Sequence, residues 1–193
     1  AVEALSELER LTGVIKFVTR STEIPYLRFL SQEESFWQGA YNCWSYVGQQ
    51  KDEQNLNLGL GCMSKGAIQH TDLHALGFEH TSGRWDRDDY VTINWENIVP
   101  GFENNVLKRI VNDTLEMPYD YASIMDDEPT DFSGGGIVIA APEPVGLMEG
   151  LSKGDMIHLR LLYQCPSFPG GNQLLSSLGD NYLWSWSLLH AAY

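Results

Sequence analysis

Three of the chain's five histidines fall between positions 70 and 80. His70 and His74 are four residues apart, a spacing that stacks two side chains on one helical face, one turn above the other. Gly77 follows. Lacking a Cβ, it can end the helix in a left-handed conformation, and the chain can then turn back and carry His80 to the same point. Three imidazoles converging on one point form a zinc shell of the catalytic type, with a fourth position left for water. A single histidine on a helix is commonly just a satisfied polar residue. A pair at i, i+4, with Gly three residues further on and His six further on, is a ligand spacing.

The proton chemistry is less complete. In the zinc-hydrolase pattern H-E-x-x-H-x-x-G-x-x-H, the residue after the first histidine is a glutamate acting as general base. Here it is Thr71, whose hydroxyl cannot take a proton from metal-bound water near neutral pH. Asp72 sits about 200° around the helix from His70 and about 160° from His74, so its carboxylate is expected to point away from the metal. Glu79, just before His80, is expected to point outward as well.

The 193 residues suffice for one domain with a sizeable core, and 43% hydrophobic content with six tryptophans argues for a folded globule. A net charge of −14 disfavours nucleic acid and anionic membranes, because no basic patch is present to neutralise phosphates. No apolar run approaches the length of a membrane span. The sequence starts at Ala1 without an initiator Met or a signal peptide, as a processed or trimmed product would. Cysteines number three, Cys43, Cys62 and Cys165, and the odd count leaves one free or intermolecular. Asn112-Asp-Thr is a glycosylation sequon, which points to a secretory route.

The elements that must position the histidines follow from periodicity. Residues 1–12 read as an amphipathic helix stopped by Gly13. Residues 14–18 and 24–30 read as strands, 43–48 as a short apolar segment, and 56–60 as an edge strand. The zinc helix buries Ile68, Leu73 and Leu76. Residues 84–90 form a charged turn, 91–94 a brief extended piece, and 102–111 a helix with Val106, Leu107 and Ile110 inward. Gly134–Gly136 marks a loop. Residues 152–163 read as a capped helix with Met156, Leu159, Leu162 and Tyr163 inward. Strands cluster before the zinc helix and helices dominate after it, an α+β arrangement. The last stretch is apolar around Leu183, Trp184 and Trp186, a surface for a partner or for packing on its own domain.

The run from Gly61 through His80 to Asn94, together with Asn42-Cys-Trp-Ser-Tyr-Val-Gly48, resembles the astacin family of secreted zinc endopeptidases, which are metzincins. Ser123-Ile124-Met125 resembles that family's Met-turn, and Leu159 to Cys165 its C-terminal helix and last cysteine. The similarity spans about residues 5 to 165 in order. It implies an astacin-like metallopeptidase domain over 1–165, without the family's first strand, and a C-terminal tail over 166–193. It further implies zinc on His70, His74 and His80, a Cys43–Cys62 disulfide, an unpaired Cys165 because Val14 stands at its partner's position, and an extracellular location.

The departures bear on activity. The family's Met-turn continues Met-His-Tyr, with the tyrosine reaching the zinc or the oxyanion; here it continues Asp126-Asp127, so Asp127 stands at the tyrosine position. The glutamate that anchors the family's mature N-terminus is Thr81. The resemblance therefore implies a zinc-binding homologue with no catalytic base and a binding or structural role toward a protein partner. The alternative is a metalloendopeptidase with a rewired site cleaving proteins, in which Asp127 acts as base or as a fourth ligand.

Overall fold

The computed structural model describes residues 2–30, 43–109, 117–163 and 189–192. Cys165, Asn112 and Leu183–Trp186, on which the free cysteine, the glycosylation site and the apolar tail were expected, lie outside the described residues. Helix α1 (Val2–Thr12) buries Ala4, Leu5 and Leu8 and ends at Gly13. Strands β1 (Phe17–Thr19), β2 (Tyr26–Leu30), β3 (Cys43–Ser45) and β4 (Glu53–Leu58) follow. Helix α2 (Lys65–Ala75) carries the first two histidines, and strands β5 (Thr92–Ile93) and β6 (Ile139–Ala140) pair antiparallel. Helix α3 (Lys153–Leu162) begins with a capping box between Ser152 and Asp155. Strand β7 (Leu189–Ala192) completes a five-stranded sheet of order β1-β7-β2-β4-β3, in which only β3 runs antiparallel.

Two apolar clusters organise these elements. The larger packs α1, α2 and α3 against the sheet, and it contains Leu8, Leu56, Ile68, Leu73, Met125 and Leu159. The smaller joins Val91, Ile93, Ile98, Val106, Tyr119, Val138 and Ile139. This mixed content is the α+β arrangement anticipated from the pattern, with two local differences.

The 56–60 segment is not an edge strand. It belongs to β4, which lies between β2 and β3. Its alternation does not mark a solvent face, because the polar positions Gln54 and Asn57 are buried. The Gln54 amide is satisfied by the adjoining loop, donating to Gly48 O at 3.0 Å and accepting from Gln50 N at 3.0 Å. Of the helix expected over 102–111, the described residues, 102–109, form only a 3₁₀ turn, Glu103–Val106, and Leu107 is exposed. The backbone groups that would propagate it are taken elsewhere. Val106 O accepts from Arg87 Nη1 at 2.7 Å, and Arg109 N donates to Gly83 O at 2.7 Å.

Candidate metal centre

Helix α2 starts on Ser64, whose hydroxyl accepts from Ala67 N, and it stops by a Schellman pair. Gly77 N donates to His74 O at 2.9 Å and Phe78 N to Leu73 O at 2.9 Å, with Gly77 at φ +100°. The reversal brings His80 back toward the helix. His74 Nε2 lies 3.0 Å from His80 Nε2, and His80 Nε2 lies 3.2 Å from His70 Nε2. All three expected ligands therefore converge. Among the described residues no carboxylate or thiolate joins them in a group of ligand atoms mutually within 4.8 Å.

The other ring nitrogen of each histidine is committed. His70 Nδ1 lies 2.7 Å from Ile124 O, His74 Nδ1 2.8 Å from Phe78 O, and His80 Nδ1 2.8 Å from Asp127 Oδ1. These oxygens only accept, so each Nδ1 carries a hydrogen, and the Nε2 of each ring faces the other two. Burial first, and then the neighbouring His80 charge, pushes His70 down to about 4 and His74 to about 3, so both rings are neutral near pH 7. Against the opposing effect of burial, the neighbouring Asp127 holds His80 above its ordinary value, so without a metal a proton on its Nε2 bridges toward the other rings. A divalent cation displacing that proton would meet three Nε2 lone pairs aimed at one point. The donor set fits a zinc ion.

Asp127 is placed differently from either role considered for it. Its carboxylate sits on the Nδ1 edge of His80, the far side of the ring from Nε2, and its second oxygen accepts from Ser82 Oγ. Thr71 is buried, and its hydroxyl donates back to Ala67 O at 2.8 Å. Asp72 is fully buried, and Glu79 pairs with Arg109 at 3.4 Å. Met125 is buried in the larger core, and Thr81 N donates to its carbonyl at 3.0 Å. Cys43 and Cys62 are joined by a disulfide with Cα atoms 5.6 Å apart.

Two supports of the site left no mark in the sequence pattern. Asp155 accepts from Ser123 Oγ at 2.6 Å and from Ile124 N at 3.0 Å, which fixes the turn ending in Met125. The capping box marked Asp155 as a helix start, and nothing local tied it to residue 123. Ser82 is the other: a small polar residue after a ligand carries no periodic signal.

Comparison with known proteins agrees with this geometry. The peptidase family described as Astacin matches residues 2–164. The chain is 35% identical over 172 residues to zinc metalloproteinase nas-13 of Caenorhabditis elegans, covering 86% of this chain and 36% of that protein. It is 38% identical over 158 residues to high choriolytic enzyme 1 of Oryzias latipes, covering 78% of this chain and 55% of that protein. The chain thus spans between a third and just over half of the length of these relatives. The solved structure of high choriolytic enzyme 1, a hatching enzyme zinc-protease from medaka, aligns with TM-score 0.71 and 34% identity, over 86% of this chain and 84% of that one.

Proposed function

The chain belongs to the astacin family of zinc metallopeptidases, and we propose that it is a member that has kept the metal cradle and given up peptide hydrolysis. His70, His74 and His80 would hold the zinc, which would supply Lewis acidity for hydrolysis. Hydrolysis further needs a group that moves the water proton to the leaving amine, and such a group contributes about 10²–10⁴ in rate. The observation that carries the proposal is Thr71. It stands where the family pattern has glutamate, and its hydroxyl is spent on Ala67 O. The tyrosine position is Asp127, whose carboxylate is occupied by His80 and Ser82, so the oxyanion donor, worth about 10²–10³, is missing too. These losses need not multiply, but together they leave at most trace turnover.

The remaining role is recognition or architecture toward a protein partner. The disulfide suits an oxidising compartment, and we place the protein outside the cell.

A fluorogenic-peptide assay on the zinc-loaded chain tests the proposal. The expected result is no chelator-sensitive turnover above background; chelator-sensitive cleavage overturns it. Thr71→Glu is the companion. Restoring the carboxylate is expected to raise turnover by about 10²–10⁴ over the parent.

A further inference from the structure

We propose that Asp127 is a positioning residue that sets how tightly this chain holds its metal, by clamping His80 from behind. The three ligands are not held alike. His70 and His74 ride on α2, where the helix fixes their backbone, and each Nδ1 donates to a neutral main-chain carbonyl. His80 lies beyond the helix end on extended backbone, φ −63° and ψ 142°, and its Nδ1 faces a carboxylate. It is the ligand with the least help from secondary structure and the strongest partner behind it.

The clamp is itself oriented. Asp127 is buried, one oxygen on His80 Nδ1 and the other accepting from Ser82 Oγ. Ser82 is buried too, in the 3₁₀ turn Thr81–Gly83, and Arg87 Nη1 donates to its carbonyl. Three effects follow from one contact. The carboxylate fixes the tautomer that leaves Nε2 free, it stops rotation of the ring, and it makes His80 a stronger donor through charge. It also places a negative charge beside the three rings, which offsets the charge of a divalent cation. Loss of an outer partner of this kind weakens metal binding by about 10–100-fold.

The role rests on metal binding and not on the loss of hydrolysis, so the test reads affinity. Zinc dissociation constants are measured on the full chain by competition with a chromophoric chelator, for the parent, Asp127→Asn, Asp127→Ala and Ser82→Ala. Asp127→Ala is expected to bind about 10–100-fold more weakly. Asp127→Asn keeps an acceptor oxygen without the charge and is expected to fall between the two. Ser82→Ala, which frees the carboxylate to turn, is expected to weaken binding by a smaller factor.

Two readouts separate positioning from folding. The Co²⁺-loaded absorption bands are expected to shift in Asp127→Asn, as the donor strength of His80 falls. The circular-dichroism spectrum of Asp127→Asn in excess chelator is expected to remain that of the folded parent, while its melting temperature falls with the lost His80 pair. Should Asp127→Ala fail to fold, Asp127→Asn and Ser82→Ala decide. Affinities within twofold of the parent for the folded variants, with unshifted cobalt bands, overturn the role of Asp127. A parent chain that takes up no zinc overturns the metal cradle itself.

Discussion

Asp126 and Asp127 are neighbours in sequence, both buried, and the fold shifts their carboxyls in opposite directions. For Asp127, burial opposes the charged form, but the His80 charge, the His80 hydrogen bond and the Ser82 hydroxyl outweigh it and keep the carboxyl below its ordinary value. Among the described residues Asp126 makes no ion pair of this kind. Burial dominates and, with the Asp127 charge, lifts it to about 7, against the opposing hydroxyls of Thr81 and of Tyr119, whose Oη donates to Asp126 Oδ1 at 3.2 Å, and against His80, the weakest of these influences. The native chain therefore retains a proton that the unfolded chain has released above the ordinary value of 3.8. Where the native state binds more protons, stability falls as pH rises. The contribution of Asp126 is thus most favourable below 3.8 and is lost progressively up to about 7. Asp126→Asn, neutral throughout, removes that decline. In guanidinium titrations in excess chelator, the variant is expected to gain on the parent as pH rises from 4 to 8, by up to about 4 kcal/mol. An unchanged difference across that range contradicts the assignment. At this scale the sequence was half legible. Spacing alone identified His70, His74 and His80, because they are local to one helix and its exit. The family resemblance placed Asp127 at the tyrosine position but could not orient it, because Ser82, which orients it, lies at a separation of 45 in the chain.

At the scale of elements, the metal site depends on how α2 ends. Gly77 sits at φ +100°, and a Cβ there would meet only Leu162 Cδ2 at 4.0 Å. The cost of a side chain is thus backbone strain and not a clash, about 1–2 kcal/mol. Gly77→Ala is expected to lower stability by that amount and to weaken zinc binding, because relaxing the reversal moves His80 away from α2. Gly66, in the first turn of the same helix, is a different case. A Cβ there would lie 1.9 Å from Met148 O, a backbone atom that cannot swing aside, so Gly66→Ala is expected to cost more than Gly77→Ala. Denaturant midpoints of the two variants, alongside chelator competition on each, check both the order and its consequence for the metal. Helix α2, its cap and its exit were readable from sequence because they are built from i, i+3 and i, i+4 relations. The same is true of α3, whose Ser152–Asp155 box is local. The position of β4 was not readable, because its buried Gln54 is satisfied by the adjoining loop rather than by water. Nor was the shortness of the Glu103–Val106 turn, which Arg87 and Gly83 decide from elsewhere in the chain.

In the molecule as a whole, the metal cradle lies where distant parts of the chain are tied together. His70 and His74 come from α2, while His80 is held by the segment around Met125 and Asp127. The Cys43–Cys62 disulfide ties the outermost strand of the sheet to the approach to α2. Among the described residues strand β3 has one neighbour, β4, with three residue pairs in register, and Cys43 itself is exposed while Cys62 is buried in the larger core. Three ladder pairs on an edge hold a strand weakly, so the bridge is expected to carry much of its attachment. The cysteines are 19 residues apart, and closing a loop of that size removes unfolded-state freedom worth about 3 kcal/mol. The strand is coupled to the metal ligands as well: just past β3, Gly48 N donates to His74 O at 2.8 Å. A Cys43→Ser, Cys62→Ser double variant is therefore expected to lose about 3 kcal/mol in equilibrium denaturation and also to bind zinc more weakly than the parent. Parent protein in reductant should reproduce both changes, since it lacks the same covalent link without any change of sequence. Loss of stability with zinc affinity intact would mean that β3 detaches without disturbing α2, and that the Gly48–His74 contact transmits nothing to the site.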